Sequence, residues 1–215
     1  MKLELQKSKT IVSKNISSSE TVSAPERVKI VSASQTAVSV TLKWEKAVGA
    51  DGYAVYKYDS KTKKYKKIKT IKSGKTAKYK ITGLKAGKEY RFKVKAYCTK
   101  NGKTLWGKAS KAFITATEPK KASIKSFKST KEKTATLVWA PVSGANGYQV
   151  KYSTSKKFTK KTTKSVTVKK QKAKKVTLKK LKKGKKYYVK LRAYKTVNGK
   201  KIYGAYSKVK SVKVK

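Results

Sequence analysis

The side chains that run acid, base or nucleophilic chemistry are nearly missing from this chain. It has no His, one Cys and nine Asp plus Glu among 215 residues. A general base tuned to neutral pH is therefore hard to assemble, and a nucleophilic Cys98 would have no imidazole partner. Without His, and with one thiol, a zinc or other transition-metal site has no ligands to draw on. Calcium would need clustered Asp or Asn, and a phosphate loop would need a glycine-rich turn opening a helix; neither pattern occurs. The carboxylates fall at no spacing that marks a catalytic pair: Asp51 and Asp59 give way to Asn146 and Thr154 in the second half of the chain. These features exclude the common enzyme classes, and no cofactor is expected.

Cation chemistry remains. Lys plus Arg number 60, for a formal net charge of +51. Only Arg27, Arg91 and Arg192 are arginines, and lysine is a hydrated point charge where arginine is a planar fork, so diffuse attraction is favoured over specific readout. The expected partners are polyanions: anionic polymers, acidic glycans, anionic surfaces, or nucleic acid bound without regard to sequence. The charge is also uneven. Residues 24–118 carry 24 basic and 6 acidic side chains, whereas 119–215 carry 32 and 1. The densest run holds Lys179, Lys180, Lys182, Lys183, Lys185 and Lys186, close enough to repel one another within a screening length of about 8 Å. These six are the candidate polyanion contacts.

The elements that hold these groups follow from an internal repeat. Residues 44–55 read WEKAVGADGYAV, and 95 positions on, residues 139–150 read WAPVSGANGYQV. Residues 84–97, LKAGKEYRFKVKAY, recur 97 positions on as LKKGKKYYVKLRAY at 181–194. The two-residue difference places an insertion between the blocks, in the Lys, Thr and Ser-rich stretch 155–175, read as a lengthened edge hairpin. Within each copy the apolar period is 2. Tyr90, Phe92, Val94 and Ala96 point one way while Arg91, Lys93 and Lys95 point the other. Turn signals separate the runs, among them Asn101-Gly102 and Asn198-Gly199, which supply the positive φ of tight hairpins. About seven short strands per copy and no helical pattern make a β-sandwich.

Trp44 and Trp139 on a second strand, a Gly-Tyr-x-Val opening the third, and Leu-x-x-Gly-x-x-Tyr before a strand ending Ala-Tyr resemble the fibronectin type III module. By that resemblance Tyr90 and Tyr187 are corner tyrosines, bonded back to nearby backbone. The expected fold is all-β: two tandem seven-stranded Ig-like sandwiches joined by a short linker. Expected boundaries are a lead at 1–23, rich in Ser, Thr and Lys and expected to be flexible, a first module at 24–117 and a second at 118–215. A linker of only a few residues, 117–120, implies an extended, semi-rigid rod. The antibody-type cysteine pair is absent, and no Arg-Gly-Asp occurs, so the integrin-binding device of some family members is missing.

The resemblance also orders the strands, and with alternation it puts Tyr56, Tyr58, Lys93, Lys95 and Tyr97 on one outward face, with Trp106 from the next hairpin beside them. Rings beside cations can stack on sugars or bases while lysines hold anions. The same pattern arises when outward tyrosines merely pack against long lysine stems. In the second copy only Tyr194 and Tyr203 correspond, which makes the first module the expected seat of any such site. Cys98 aligns with Lys195 and reads as an inert, half-buried filler. The lysine content is similar to modules of Gram-positive surface and secreted proteins, which implies an extracellular or surface-attached spacer or adhesion segment. The alternatives are sequence-blind nucleic-acid binding and an accessory module of a larger extracellular hydrolase. No run of about 20 apolar residues is present to span a membrane, no secretory leader is visible at the start, and a monomer is the working expectation.

Overall fold

The computed structural model describes residues 23–215, so the expected lead at 1–23 lies, but for Ser23, outside the described residues. The described chain forms sixteen strand segments and no helix. In the first half these are β1 Ile30–Gln35, β2 Val40–Trp44, β3 Gly52–Asp59, β4 Lys64–Ile71, β5 Lys78–Ile81, β6 Glu89–Lys100, β7 Lys103–Trp106 and β8 Phe113–Ala116. The second half repeats the series as β9 Ile124–Lys128, β10 Ala135–Trp139, β11 Gly147–Ser153, β12 Thr163–Val168, β13 Lys175–Leu178, β14 Lys186–Val197, β15 Lys200–Tyr203 and β16 Lys210–Lys213.

Each half is a sandwich of a small and a large antiparallel sheet. The small sheets run β1-β2-β5 and β9-β10-β13; the large ones run β4-β3-β6-β7 and β12-β11-β14-β15, with β8 and β16 also paired to β6 and β14. Because β7 with β8, and β15 with β16, are two segments of one last strand, each half has the expected seven strands. Where that strand breaks, a buried serine takes over the pairing. Ser110 Oγ accepts from the Val94 N–H and donates to the Lys111 carbonyl, and Ser207 does the same with Leu191 and Lys208.

Alternation builds the cores. Trp44 is 3% exposed and Trp139 1%, each ring tilted against a buried tyrosine, Tyr53 or Tyr148, with centroids 5.4 and 5.1 Å apart. Those tyrosines also staple a loop. The Tyr148 hydroxyl accepts from the Val142 N–H at 2.8 Å and donates to the Gln171 carbonyl at 3.0 Å, and Tyr53 does likewise between Ala47 and Gly74. The corner tyrosines are formed as the motif implies: Lys85 N–H donates to the Tyr90 hydroxyl at 2.8 Å and Lys182 N–H to that of Tyr187 at 3.2 Å. The two-residue Asn-Gly hairpins join β6 to β7 and β14 to β15 with positive φ at both positions.

Cys98 differs from expectation. It is fully rather than half buried, since it continues the inward series of Phe92, Val94 and Ala96 and the chain at Ser23 lies against its thiol, Sγ to carbonyl 3.9 Å. Its burial marks it as a packing residue.

The two halves touch through backbone. The Gly87 N–H donates to the Glu118 carbonyl at 3.0 Å, and the Glu118 N–H donates to that of Thr36 at 3.1 Å, tying the connection onto the first sandwich. A Cβ on Gly144 would stand 2.7 Å from the Gly87 carbonyl oxygen, and both glycines hold positive φ. Burial at this junction pushes the Glu118 carboxyl up from its ordinary value.

Candidate functional site

The large sheet of each module turns one face to the core and the other to solvent. On the first, β3 pairs with β6 so that Tyr56 stands opposite Lys93, Ala54 opposite Lys95 and Gly52 opposite Tyr97. Tyr97 in turn stands opposite Trp106 on β7, their rings tilted 50° at 5.0 Å. The structure therefore brings Tyr56, Tyr58, Lys93, Lys95, Tyr97 and Trp106 onto one face, Trp106 being the most open at 36% exposure.

Tyr65 on β4 belongs to this face and is missed by alternation alone. It stands opposite Tyr58, rings edge to face at 5.2 Å, and Lys93 Nζ lies over it at 4.6 Å. Lys95 Nζ lies 5.5 Å over Trp106, and the Arg91 guanidinium 5.6 Å over Tyr58. Most of these rings thus meet a cation or another ring of the same sheet, and Ala54 beneath them is fully buried. The outer face is a packed layer of rings and half-buried lysine stems, with Trp106 its most open ring.

On the second module Tyr194 and Tyr203 are the rings that correspond to Tyr97 and Trp106 of the first, and the face is not limited to them. Besides Tyr194 and Tyr203, the face carries Tyr188, Tyr206 and Phe158. The Arg192 guanidinium lies 3.8 Å from the Tyr203 ring centre and 4.5 Å from that of Tyr206, and its Nε donates to Gln149 Oε1 at 2.8 Å. The Tyr206 hydroxyl donates to the same oxygen at 3.0 Å. Lys190 Nζ stands over Phe158 at 4.2 Å and over Tyr206 at 4.8 Å, and Lys201 over Tyr194 at 4.9 Å. The first module is accordingly not the richer one. Phe158 sits in the β11–β12 loop at φ 53°, and Tyr206 in the break between β15 and β16, so strand alternation assigns neither a face. The family position of Tyr206 is held by Ala109 in the first copy, which leaves the repeat silent on it.

The lysine run divides. Lys180, Lys182, Lys185 and Lys186 line a groove of about 600 Å³ at the turn end of the β11–β12 hairpin. Lys179 is exposed but does not line it, and Lys183 is paired with Glu132. Since Glu132 is the one carboxylate side chain in 119–215, no other side-chain acid of that stretch remains to neutralise the run. The groove at the corresponding hairpin end of the first module, about 830 Å³, has acids built in: Lys66 pairs with Asp59 at 2.8 Å and Arg91 with Glu89 at 3.7 Å.

Among the described residues no helix is long and apolar enough to cross a membrane. Comparison with curated proteins gives no match. Among solved structures, the chicken CNTN1 FN1-FN3 domains are similar at 20% identity and TM-score 0.48, covering 90% of this chain and 67% of that one. A two-domain fibronectin type III segment from chicken tenascin is similar at 21% identity and TM-score 0.47, covering 89% and 99%. The model of the fibronectin type III domain matches twice, over residues 23–112 and again over 120–208. With both copies carrying the buried tryptophan and the corner tyrosine, the chain belongs to the fibronectin type III family as two domains in tandem.

Proposed function

We propose that this tandem is a non-catalytic spacer and adhesion segment of a secreted or surface-attached protein, and that its lysine coat holds anionic polymers such as phosphate-bearing wall polymers or acidic glycans. Domains of this family typically serve as extracellular spacers and adhesion modules, and the short connection with its Gly87 to Gly144 backbone contact suits a semi-rigid spacer. The observation that carries the ligand class is the charge of the second module. It has 32 cations against one acid, and that acid is already paired. A protein so charged attracts any polyanion at low salt, so simple retention of DNA decides nothing.

The deciding experiment is a competition titration at physiological salt between an anionic wall polymer, an acidic glycan and duplex DNA. The polymer or the glycan is expected to bind at least as tightly as the duplex. A tenfold preference for duplex, about 1.4 kcal/mol, would replace the surface reading with nucleic-acid binding.

A further inference from the structure

Two grooves lie at the turn ends of corresponding hairpins in the two domains; the first is lined by seven cations and two acids, the second by six cations and no acid. In the second, Lys161 and Lys164 from the β11–β12 hairpin face Lys180, Lys182, Lys185 and Lys186 from the segment that leads into β14. All six are exposed, and the module's one acidic side chain is engaged elsewhere, with Lys183. Six lysines line about 600 Å³ with no side-chain acid among them, the Lys186 ammonium also standing 5.7 Å over the Tyr188 ring. In the first domain Asp59 and Glu89 stand inside the groove, where they neutralise two cations and would repel an incoming anion. The Asp59 carboxyl is held at about 2, so that carboxylate stays charged at any physiological pH.

We infer that the second domain's groove is the anion seat of the lysine coat, and that its ligand is a linear, base-free phosphate polymer whose successive phosphates meet lysines from both walls. This rests on the anionic-polymer reading above and adds its location and ligand class. Successive phosphates suit the site because the cations come from two separate segments, so a chain that bridges them gains from both at once. A nucleic acid fits less well. The rings in this groove are Tyr152 and Tyr187, 6.4 Å apart; Tyr187 is buried with its hydroxyl taken by the Lys182 N–H, and Tyr152 packs against the core. The groove therefore offers a base at most one partly open ring, that of Tyr152.

The test uses the full chain and short-chain inorganic polyphosphate, followed by calorimetry at physiological salt. Lys164→Gln, Lys180→Gln, Lys182→Gln and Lys186→Gln together remove four charges from the groove. Lys120→Gln, Lys121→Gln, Lys125→Gln and Lys128→Gln remove four exposed charges elsewhere on the same domain. The groove variant is expected to lose at least tenfold in affinity, about 1.4 kcal/mol, and the control to stay within about threefold. Equal losses would overturn the groove while leaving diffuse attraction by the coat intact. Amide NMR shifts on the unmodified chain give a check that needs no variant: they are expected at 161–164 and 180–187, and shifts confined to the Tyr203 and Tyr206 face would overturn the assignment. Single-stranded DNA of equal charge that binds tighter than polyphosphate would overturn the base-free ligand. A parent chain that holds acidic glycan but not polyphosphate would sink this inference alone; one that holds neither would sink the anionic-polymer reading as well.

Discussion

Asp59 accepts a hydrogen bond from Lys66 and two from the backbone N–H groups of Lys61 and Thr62, and these hold its carboxyl at about 2 against an ordinary 3.8. Because the folded value is the lower one, the stabilising effect is complete above the unfolded value near 4 and is lost as pH falls through about 2. Lys66 is the largest cause, so Lys66→Gln is expected to raise the Asp59 titration midpoint toward 3.8, read from its carboxyl carbon shift by NMR. An unmoved midpoint would mean that the turn amides do all the work. In the first groove this carboxylate stays charged under ordinary conditions, and with Glu89 it offsets two of the seven cations there. Elsewhere at this scale the fold uses hydroxyls. Four tyrosines, Tyr53, Tyr90, Tyr148 and Tyr187, each satisfy a backbone N–H that the loops would leave unpaired.

Among the elements, the start of β11 shows why the repeat keeps glycine before tyrosine. A Cβ at Gly147 would lie 2.3 Å from the Val168 carbonyl oxygen and 2.5 Å from the Tyr194 hydroxyl; Gly52 meets Ile71 and Tyr97 in the same way. The absent side chain is what lets the Tyr194 ring lie across the strand. Gly147→Ala is expected to destabilise the second domain by about 1–3 kcal/mol, seen as a lower denaturant midpoint for that domain alone. A midpoint unchanged would show that β11 and β12 move apart, and the ring swings aside, at no cost. Much of the first domain's face was legible in the sequence because β6 alternates strictly and the family supplies β3 as its neighbour. Tyr65 was not, because β4 shifts register opposite Val55 and Tyr56, so that Ile68 and Ile71 both pack against the core at a spacing of three and the period-2 signal dissolves into a lysine run. Phe158 and Tyr206 lie outside strands, where no periodicity assigns a face. The grooves themselves were invisible, since each joins a hairpin end to a segment that follows it by some 20 residues, and only the closed sandwich brings the two together.

For the whole molecule the decisive quantity is the imbalance between domains, 24 basic against 6 acidic side chains over 24–118 and 32 against 1 over 119–215. Unfolding spreads like charges apart, so self-repulsion lowers the stability of the compact state, and more in the domain that has almost no counter-charge. The first domain offsets part of its load with ion pairs such as Lys29 with Glu45 at 2.9 Å and Lys66 with Asp59. The second has only Lys183 with Glu132 among the described side-chain pairs. Added salt screens repulsion in both, but it also weakens the exposed pairs, so the net gain is larger where repulsion is the greater term. Hydrogen exchange read by mass spectrometry separates the domains within the full chain: as salt rises, protection of β10, β11 and β14 is expected to increase more than that of β2, β3 and β6. Polyphosphate at low salt should reproduce the effect on the second domain by binding the folded state. An equal response of the two domains to salt would mean that the lysines are far enough apart, or solvated well enough, to carry no strain, and the driving force for neutralising the second domain would go with it.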